Sequence, residues 1–314
     1  MSISLGQKVA IVTGSGAGLG AAYAKALAAA GGAVIVNDVS DSAAAAVVAE
    51  IQAAGGRASA IVAPVGTSAV AQQLVDAAVG EFGRLDIVVT NAGILRDKSL
   101  LKMTDEDFDA VIDVHLRGTF TMARAAFGYF KEHEVPGRII AIGSPTGQRG
   151  NFGQTNYAAA KAGIVGMIRT WAIEMKKAGV TANAVIPVAA TAMTKTIPYF
   201  AAAVEATERG DAMPAFFRHG LGFGTPEDVA GLIVWLASDE AQGVTGQAIG
   251  VGGDRIQLWS HPEVLESWYH DGGWSADDIE TDLGGRLQTR LQSVGEAPWP
   301  PLPPELDRAA PAAV

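Results

Sequence analysis

The chain contains no cysteine. That excludes disulfides, thiolate metal sites and cysteine nucleophiles. Basic residues are scarce: 23 Lys and Arg stand against 33 Asp and Glu, for a net charge of −10. A nucleic-acid surface needs clustered positive charge, so no nucleic-acid partner is expected. The five histidines, at 115, 133, 219, 261 and 270, have no metal-ligand spacing, and no metal is expected. No run of about 18 apolar residues is present, so no membrane span is expected. The opening MSISLGQKVAIVTG lacks the basic segment and long apolar run of a signal peptide. The chain reads as cytoplasmic. What is abundant is apolar side chain, 49% of 314 residues, ample for one large domain with a core on both faces of a sheet.

Short β-branched runs alternate with alanine-rich helical stretches. Strands are predicted at 8–13, 33–38, 58–62, 86–90, 138–142, 181–186 and 247–251. Helices are predicted from the glycine turn to about 30, then at 41–54, 68–82, 105–131, 157–177 and 226–238. Apolar strands separated by helices indicate an α/β, doubly wound parallel sheet of Rossmann type. This rhythm covers residues 1–254 as a single domain. Residues 255–314 fall outside it as a C-terminal extension, partly helical, with a Pro-rich tail. Four of the six tryptophans lie there, at 259, 268, 274 and 299. Disordered tails are poor in aromatics, so most of the extension should be packed. Ser260-His-Pro-Glu reads as a helix start, and Ser275 with Asp278 as a second cap ahead of two interrupting glycines, Gly284 and Gly285.

TGSGAGLG, residues 13–20, lies between a strand and a helix, the setting of a dinucleotide-binding turn. Gly14, Gly18 and Gly20 permit a tight turn, close approach of a pyrophosphate and close helix packing. Ser15 and Leu19 belong to the same turn, and the helix N-terminus offers free N–H groups to phosphates. A generic strand-to-helix turn is the alternative. Asp38 ends the second strand, 18 residues after Gly20. A carboxylate there accepts the hydroxyls of an adenosine ribose and repels a 2′-phosphate, which favours NAD over NADP. The alternative is that it merely caps the following segment.

Tyr157 and Lys161 sit four residues apart, on one face of a helix. An ammonium beside a phenol favours the phenolate. An unperturbed tyrosine titrates near 10, so acid/base work at neutrality needs a downward shift of roughly 3 units. Ser144 precedes the pair at a strand end, where it is equally placed to cap a helix. NAG at 91–93 after an apolar strand is also a plain turn.

Together TGSGAGLG, Asp38, NAG, Ser144 and YAAAK at 157–161 resemble the short-chain dehydrogenase/reductase family over about residues 5–253. The resemblance implies that Tyr157 is the general acid/base and that Lys161 binds the nicotinamide ribose and lowers the tyrosine pKa. It implies that Ser144 hydrogen-bonds the substrate oxygen, and that Asn91, Ala92 and Gly93 support the cofactor. Val65, Pro187 and Thr191 are the further cofactor contacts it implies. His115, in VHLRG, stands where many members carry a relay asparagine, and is a candidate for that relay. Pro64 replaces an aspartate that usually meets the adenine, and Pro187-Val188 replaces a Pro-Gly.

NAGILRDKSL, VHLRG, GNFGQTNYAAAK and the 187–193 run resemble the hydroxyacyl-CoA dehydrogenase part of type 2 multifunctional enzymes and bacterial steroid- and acyl-CoA-degrading relatives. This implies an apolar or acyl-CoA small-molecule substrate, a secondary alcohol oxidised with NAD, and a homotetramer or homodimer built on the helix near 105–131 and the Tyr157 helix. Alternatives are a ketoreductase for another bulky alcohol and a non-catalytic dinucleotide sensor. Residues 194–224 should cover the substrate, with Met193, Ile197, Tyr199, Phe200, Phe216 and Phe217 making that segment apolar.

Overall fold

The computed structural model describes residues 3–195, 197–295, 298–304 and 306. The alternation read from the sequence closes into one eight-stranded sheet of order β3-β2-β1-β4-β5-β6-β7-β8. The strands are β1 (Val9–Thr13), β2 (Ala33–Asp38), β3 (Arg57–Val62), β4 (Ile87–Thr90), β5 (Arg138–Ile142), β6 (Thr181–Pro187), β7 (Ala248–Gly252) and β8 (Arg255–Trp259). The first seven pair in parallel. The eighth turns back antiparallel on β7.

The helices are α1 (Gly18–Ala29), α2 (Asp41–Ala53), α3 (Ser68–Phe82), α4 (Asp105–Val111), α5 (Gly118–Glu132), α6 (Pro145–Arg149) and α7 (Thr155–Glu174). They continue with α8 (Ala192–Lys195), α9 (Pro198–Glu208), α10 (Pro226–Ala237), α11 (Ala276–Asp278) and α12 (Gly285–Gln288). Strand side chains alternate between faces, so both faces must be covered. Ala10 and Val12 of β1 pack with Tyr23 and Leu27 of α1 and Ile233 of α10. Val9 and Ile11 pack with Leu74 of α3, Met122 of α5 and Ile168 of α7.

Five readings change in the structure, the first being that the extension, expected to be mostly packed, is mostly exposed over 260–295. The helix expected over 105–131 is split by a π-helical turn, Ile112–Arg117, which changes the helical register and carries His115. The extension begins with a strand of the sheet itself, since β8 completes the edge of β7. The helix expected from Ser260 is absent, and residues 260–270 hold no helix or strand. Nothing caps that start, whereas Ser275 and Asp278 form the expected reciprocal cap. The helix beyond it continues through a π-helical turn, Ile279–Gly284, into α12 at Gly285, so the glycines do not end it.

Candidate active site

The carboxyl ends of the parallel strands open into a cleft of about 1510 Å³. That is where ligands bind in open α/β sheets. Gly14, Gly18, Leu19, Asp38, Val65, Asn91, Ala92, Gly93, Pro187 and Thr191 all line it, together with His115, Ser144, Tyr157 and Lys161.

Two expected cofactor residues do not face the cleft. Ser15 is fully buried, and its hydroxyl donates to the Val12 carbonyl at 2.7 Å. Gly20 lies behind the turn, where a methyl group would overlap the Gly14 carbonyl oxygen and come within 2.8 Å of Ser15 Cα. Its role is close packing. Gly14 combines a φ of +61° with a backbone approach that would put a methyl group 2.6 Å from Ala92 Cα. Asn91 fixes that approach by donating from Nδ2 to the Gly14 carbonyl at 2.8 Å and the Thr13 carbonyl at 3.1 Å.

The chain's own residues fit a dinucleotide. Side chains of Ser40, Thr67 and Thr104 cap α2, α3 and α4, but the N-cap of α1, Ala17, has no capping side chain. Gly18 and Leu19, its first residues, line the cleft, so uncapped N–H groups point to where a phosphate would accept from them. Asp38 is preset by two backbone donors, Gly16 N–H at 2.9 Å and Ser40 N–H at 3.0 Å. Its oxygens keep lone pairs for ribose hydroxyls. The sequence gives no sign of the Gly16 contact, because nothing in the turn marks which amide meets the second strand.

The catalytic candidates converge from three elements. Ser144 follows β5 and caps α6, accepting from the Thr146 N–H at 3.2 Å. Both readings of Ser144, site residue and cap, thus describe one position. Tyr157 and Lys161 project from the first turns of α7. Lys161 is buried, donates to the Ile142 carbonyl at 2.6 Å, and stands 5.5 Å from the Tyr157 ring centroid. Burial holds its ammonium down to about 7. Among the chain's own residues, burial raises the Tyr157 phenol. The nearby Ser144 hydroxyl offsets this in part, and the Asp97 charge adds to it. In the chain alone the phenol is thus raised, with desolvation of the phenolate the largest cause, beside a lysine that is itself desolvated.

His115 meets Tyr157 edge-on, ring centroids 5.2 Å apart. Its Nε2 lies 2.8 Å from the Ile94 carbonyl and 2.9 Å from the Ile94 N–H, while Nδ1 is buried without a partner. Burial first, then the Lys161 charge, push its pKa down to about 3. The ring is neutral, so it acts as a hydrogen-bonding group and not as an imidazolium. A methyl group at Gly93 would overlap His115 Cε1, so that glycine makes room for the ring.

Asn156 is a site residue that sequence reasoning misses. Fully buried, it donates to the Arg96 and Asp107 carbonyls at 3.2 and 3.0 Å and accepts from the Tyr157 N–H at 2.8 Å. It ties the loop after β4 to α4 and α7, which sets the start of the Tyr157 helix.

The segment expected to be apolar, 194–224, does form an apolar cluster. Phe200, Phe217 and Phe223 form a cluster with Tyr199 and Phe216 packed on it. Ile197 and Phe200 line the cleft. The Met193 side chain lies outside the described residues. The tail crosses the same opening: Gly295 exchanges hydrogen bonds with Arg149, Trp299 stacks on Tyr199 at 4.9 Å, and the Tyr199 hydroxyl donates to the Pro300 carbonyl at 2.6 Å.

A family model described as enoyl-(acyl carrier protein) reductase matches residues 14–253. The chain belongs to the short-chain dehydrogenase/reductase family. It is 41% identical over 292 residues to hydroxyacyl-CoA dehydrogenase ChsB1 of Mycobacterium tuberculosis, covering 89% of this chain and 88% of that one. It is 41% identical over 244 residues to mouse peroxisomal multifunctional enzyme type 2, covering 75% of this chain but 30% of that protein. The crystal structure of a short-chain dehydrogenase from Mycobacterium avium superposes with a TM-score of 0.79 at 36% identity, over 93% of this chain and 98% of that one. This short-chain dehydrogenase/reductase is therefore an oxidoreductase of hydroxyl or keto groups that uses a nicotinamide dinucleotide and a small-molecule substrate. The non-catalytic sensor alternative is set aside. Among the described residues no helix is long and apolar enough to cross a membrane, and no group of side chains is placed to hold a metal ion.

Proposed function

We propose that this protein interconverts a secondary alcohol and a ketone on a 3-hydroxyacyl-CoA or hydroxysteroid substrate with NAD(H). The observation that carries the reading is the convergence of Ser144, Tyr157 and Lys161 beneath an apolar cover of Phe200 and Trp299. A bound nicotinamide would supply the hydride chemistry at the substrate carbon. Tyr157 exchanges the proton of the substrate oxygen, and Ser144 donates a hydrogen bond to that oxygen as charge develops. Lys161 supplies the adjacent positive charge and holds the cofactor ribose. His115 braces Tyr157 and fixes the Ile94 backbone. The ChsB1 relative is named a hydroxyacyl-CoA dehydrogenase, which supports the substrate class. The aromatic walls also suit another bulky alcohol, the second reading.

Asp38 supports NAD over NADP, because its carboxylate faces the cleft on preset donors and would repel a 2′-phosphate. A homodimer or homotetramer belongs to the same reading: Ala159, Ala162, Gly166 and Ile173 leave one exposed, mostly slim face on α7. The test is NADH absorbance with 3-hydroxyacyl-CoAs, hydroxysteroids and simple secondary alcohols. Tyr157→Phe should lower kcat at least about a hundredfold while NADH binding is kept. Asp38→Ala should weaken NAD and relax its preference over NADP. Unchanged turnover in the first variant, or a higher wild-type kcat/KM with NADPH, counts against the respective assignment.

A further inference from the structure

Strand β8 lies outside the parallel sheet that forms the cofactor crevice, yet three of its residues line the catalytic cleft: Arg255, Gln257 and Trp259. Alternate residues of a strand share a face, so these three point the same way. Each carries a hydrogen-bond donor with no partner among the described residues. Among the described residues the half-buried Arg255 guanidinium makes no hydrogen bond or ion pair, and neither does the side-chain amide of Gln257, which is exposed. The Trp259 indole N–H is buried and unpartnered. An unpaired buried donor is costly unless a ligand satisfies it.

The local charges leave Arg255 uncompensated. Its neighbour Asp254 accepts from Arg218 at 2.8 and 3.0 Å, and Asp228 takes the rest of the Arg218 fork. The Arg255 guanidinium instead lies against Gly222, where a methyl group would come within 2.5 Å of Nε. It is half-buried and unpaired among the described residues, on a chain of net charge −10.

Position separates this group from the cofactor. Arg255 pairs with Gly252, so it sits at the same edge of the sheet as Ser144 and Pro187. Neighbouring strands are about 4.8 Å apart, which places β8 roughly 10–14 Å beyond β6 and β5, and roughly 29 Å from β2 and Asp38. The adenosine end and the β8 donors flank the reacting centre on opposite sides.

We propose that Arg255, with Gln257 and Trp259, forms a subsite for an oxyanion that the substrate carries away from its reacting carbon, a phosphate or carboxylate. The inference rests on the 3-hydroxyacyl thioester reading above. It gives Arg255 a role in holding substrate and none in the chemical step.

The experiment compares kcat and KM of wild type, Arg255→Met, Arg255→Lys and Trp259→Phe. The substrates are a 3-hydroxyacyl-CoA, the same acyl group on N-acetylcysteamine, and that neutral thioester with a terminal carboxylate added. Arg255→Met should raise KM at least about tenfold for an anionic substrate, the lower end of a charged hydrogen bond's worth, with kcat within about twofold. The neutral thioester should be unaffected, and Arg255→Lys should recover part of the loss. Trp259→Phe keeps the ring and removes the N–H, and should raise the same KM less. A loss confined to the CoA thioester assigns the anion to the carrier phosphates. A loss confined to the carboxylated thioester assigns it to the acyl chain. Equal KM changes on all three substrates, or none, overturn the subsite. Wild-type inactivity on every thioester removes the underlying reading and this inference with it, whereas wild-type turnover indifferent to Arg255 removes this inference alone.

Discussion

At the scale of single residues, the site is built from groups held in states that water would not allow. His115 is buried and titrates near 3, against 6.5 in an open chain. Between those values the unfolded chain binds a proton that the folded chain refuses, so this histidine costs stability as pH falls from about 6.5 towards 3. Lys161, held near 7 instead of 10.5, works in the alkaline window, where its contribution improves as pH rises through that range. The two windows do not overlap, which makes His115 separable. Urea unfolding of wild type and His115→Asn at pH 7 and pH 4 should show the variant losing less stability on acidification, by on the order of 3 kcal/mol. Parallel pH dependences would show that His115 is hydrated or protonated in the fold.

At the scale of elements, the sequence is most legible where periodicity and turn chemistry agree. β2 is legible to the residue, and α3 likewise, because apolar runs end at a glycine or at a capping Ser or Thr. The π-helical turn carrying His115 leaves no such mark, since its residues suit an α-helix equally well. Residues 260–270 mislead because Ser-His-Pro-Glu has a start signal but no packing face to follow it. In the site, Ser144, Tyr157 and Lys161 are legible through their spacing. Asn156 and Arg255 are not, because their partners or their isolation arise from tertiary contacts. Glycines divide in the same way, and two helical positions expose the difference. In α1, Gly20→Ala drives a methyl group into the Gly14 carbonyl and Ser15 backbone, which should destabilise by roughly 1–3 kcal/mol. In α3, Gly80 is exposed, and a methyl group there would meet nothing within 4 Å, so Gly80→Ala should stabilise by about 0.5–1 kcal/mol. Urea midpoints moving in opposite directions are the expected result; the same sign for both would mean that helix propensity, and not packing, governs these positions.

At the scale of the whole molecule, the tail forms part of the wall of the cleft. Residues 255–259 continue the sheet, but the chain then leaves it; Gly295 meets Arg149, and residues 298–304 meet the α9 cover. Trp299 stacks on Tyr199 and meets Phe200 edge-on at 4.8 Å, and Leu302 and Leu306 pack on the same aromatic cluster. Val294, Pro298 and Pro300 line the cleft beside Trp299. Apolar contact on this scale ties the tail to the cover, so removing the central ring should loosen both without disturbing Tyr157 or Asp38, which sit on α7 and β2. Trp299→Ala is therefore expected to leave NADH affinity within about twofold, since the cofactor residues lie outside its contacts, and to shift substrate selection, with each buried methylene of lost contact worth about 0.8 kcal/mol. Short secondary alcohols, too small to reach the tail, should keep their kcat/KM. Long acyl or steroid substrates that touch the Trp299 wall should lose several-fold or, where the ring blocks them, gain. Measured across a chain-length series, a constant ratio of variant to wild type at every length would show that the tail only braces the cover and takes no part in choosing the substrate.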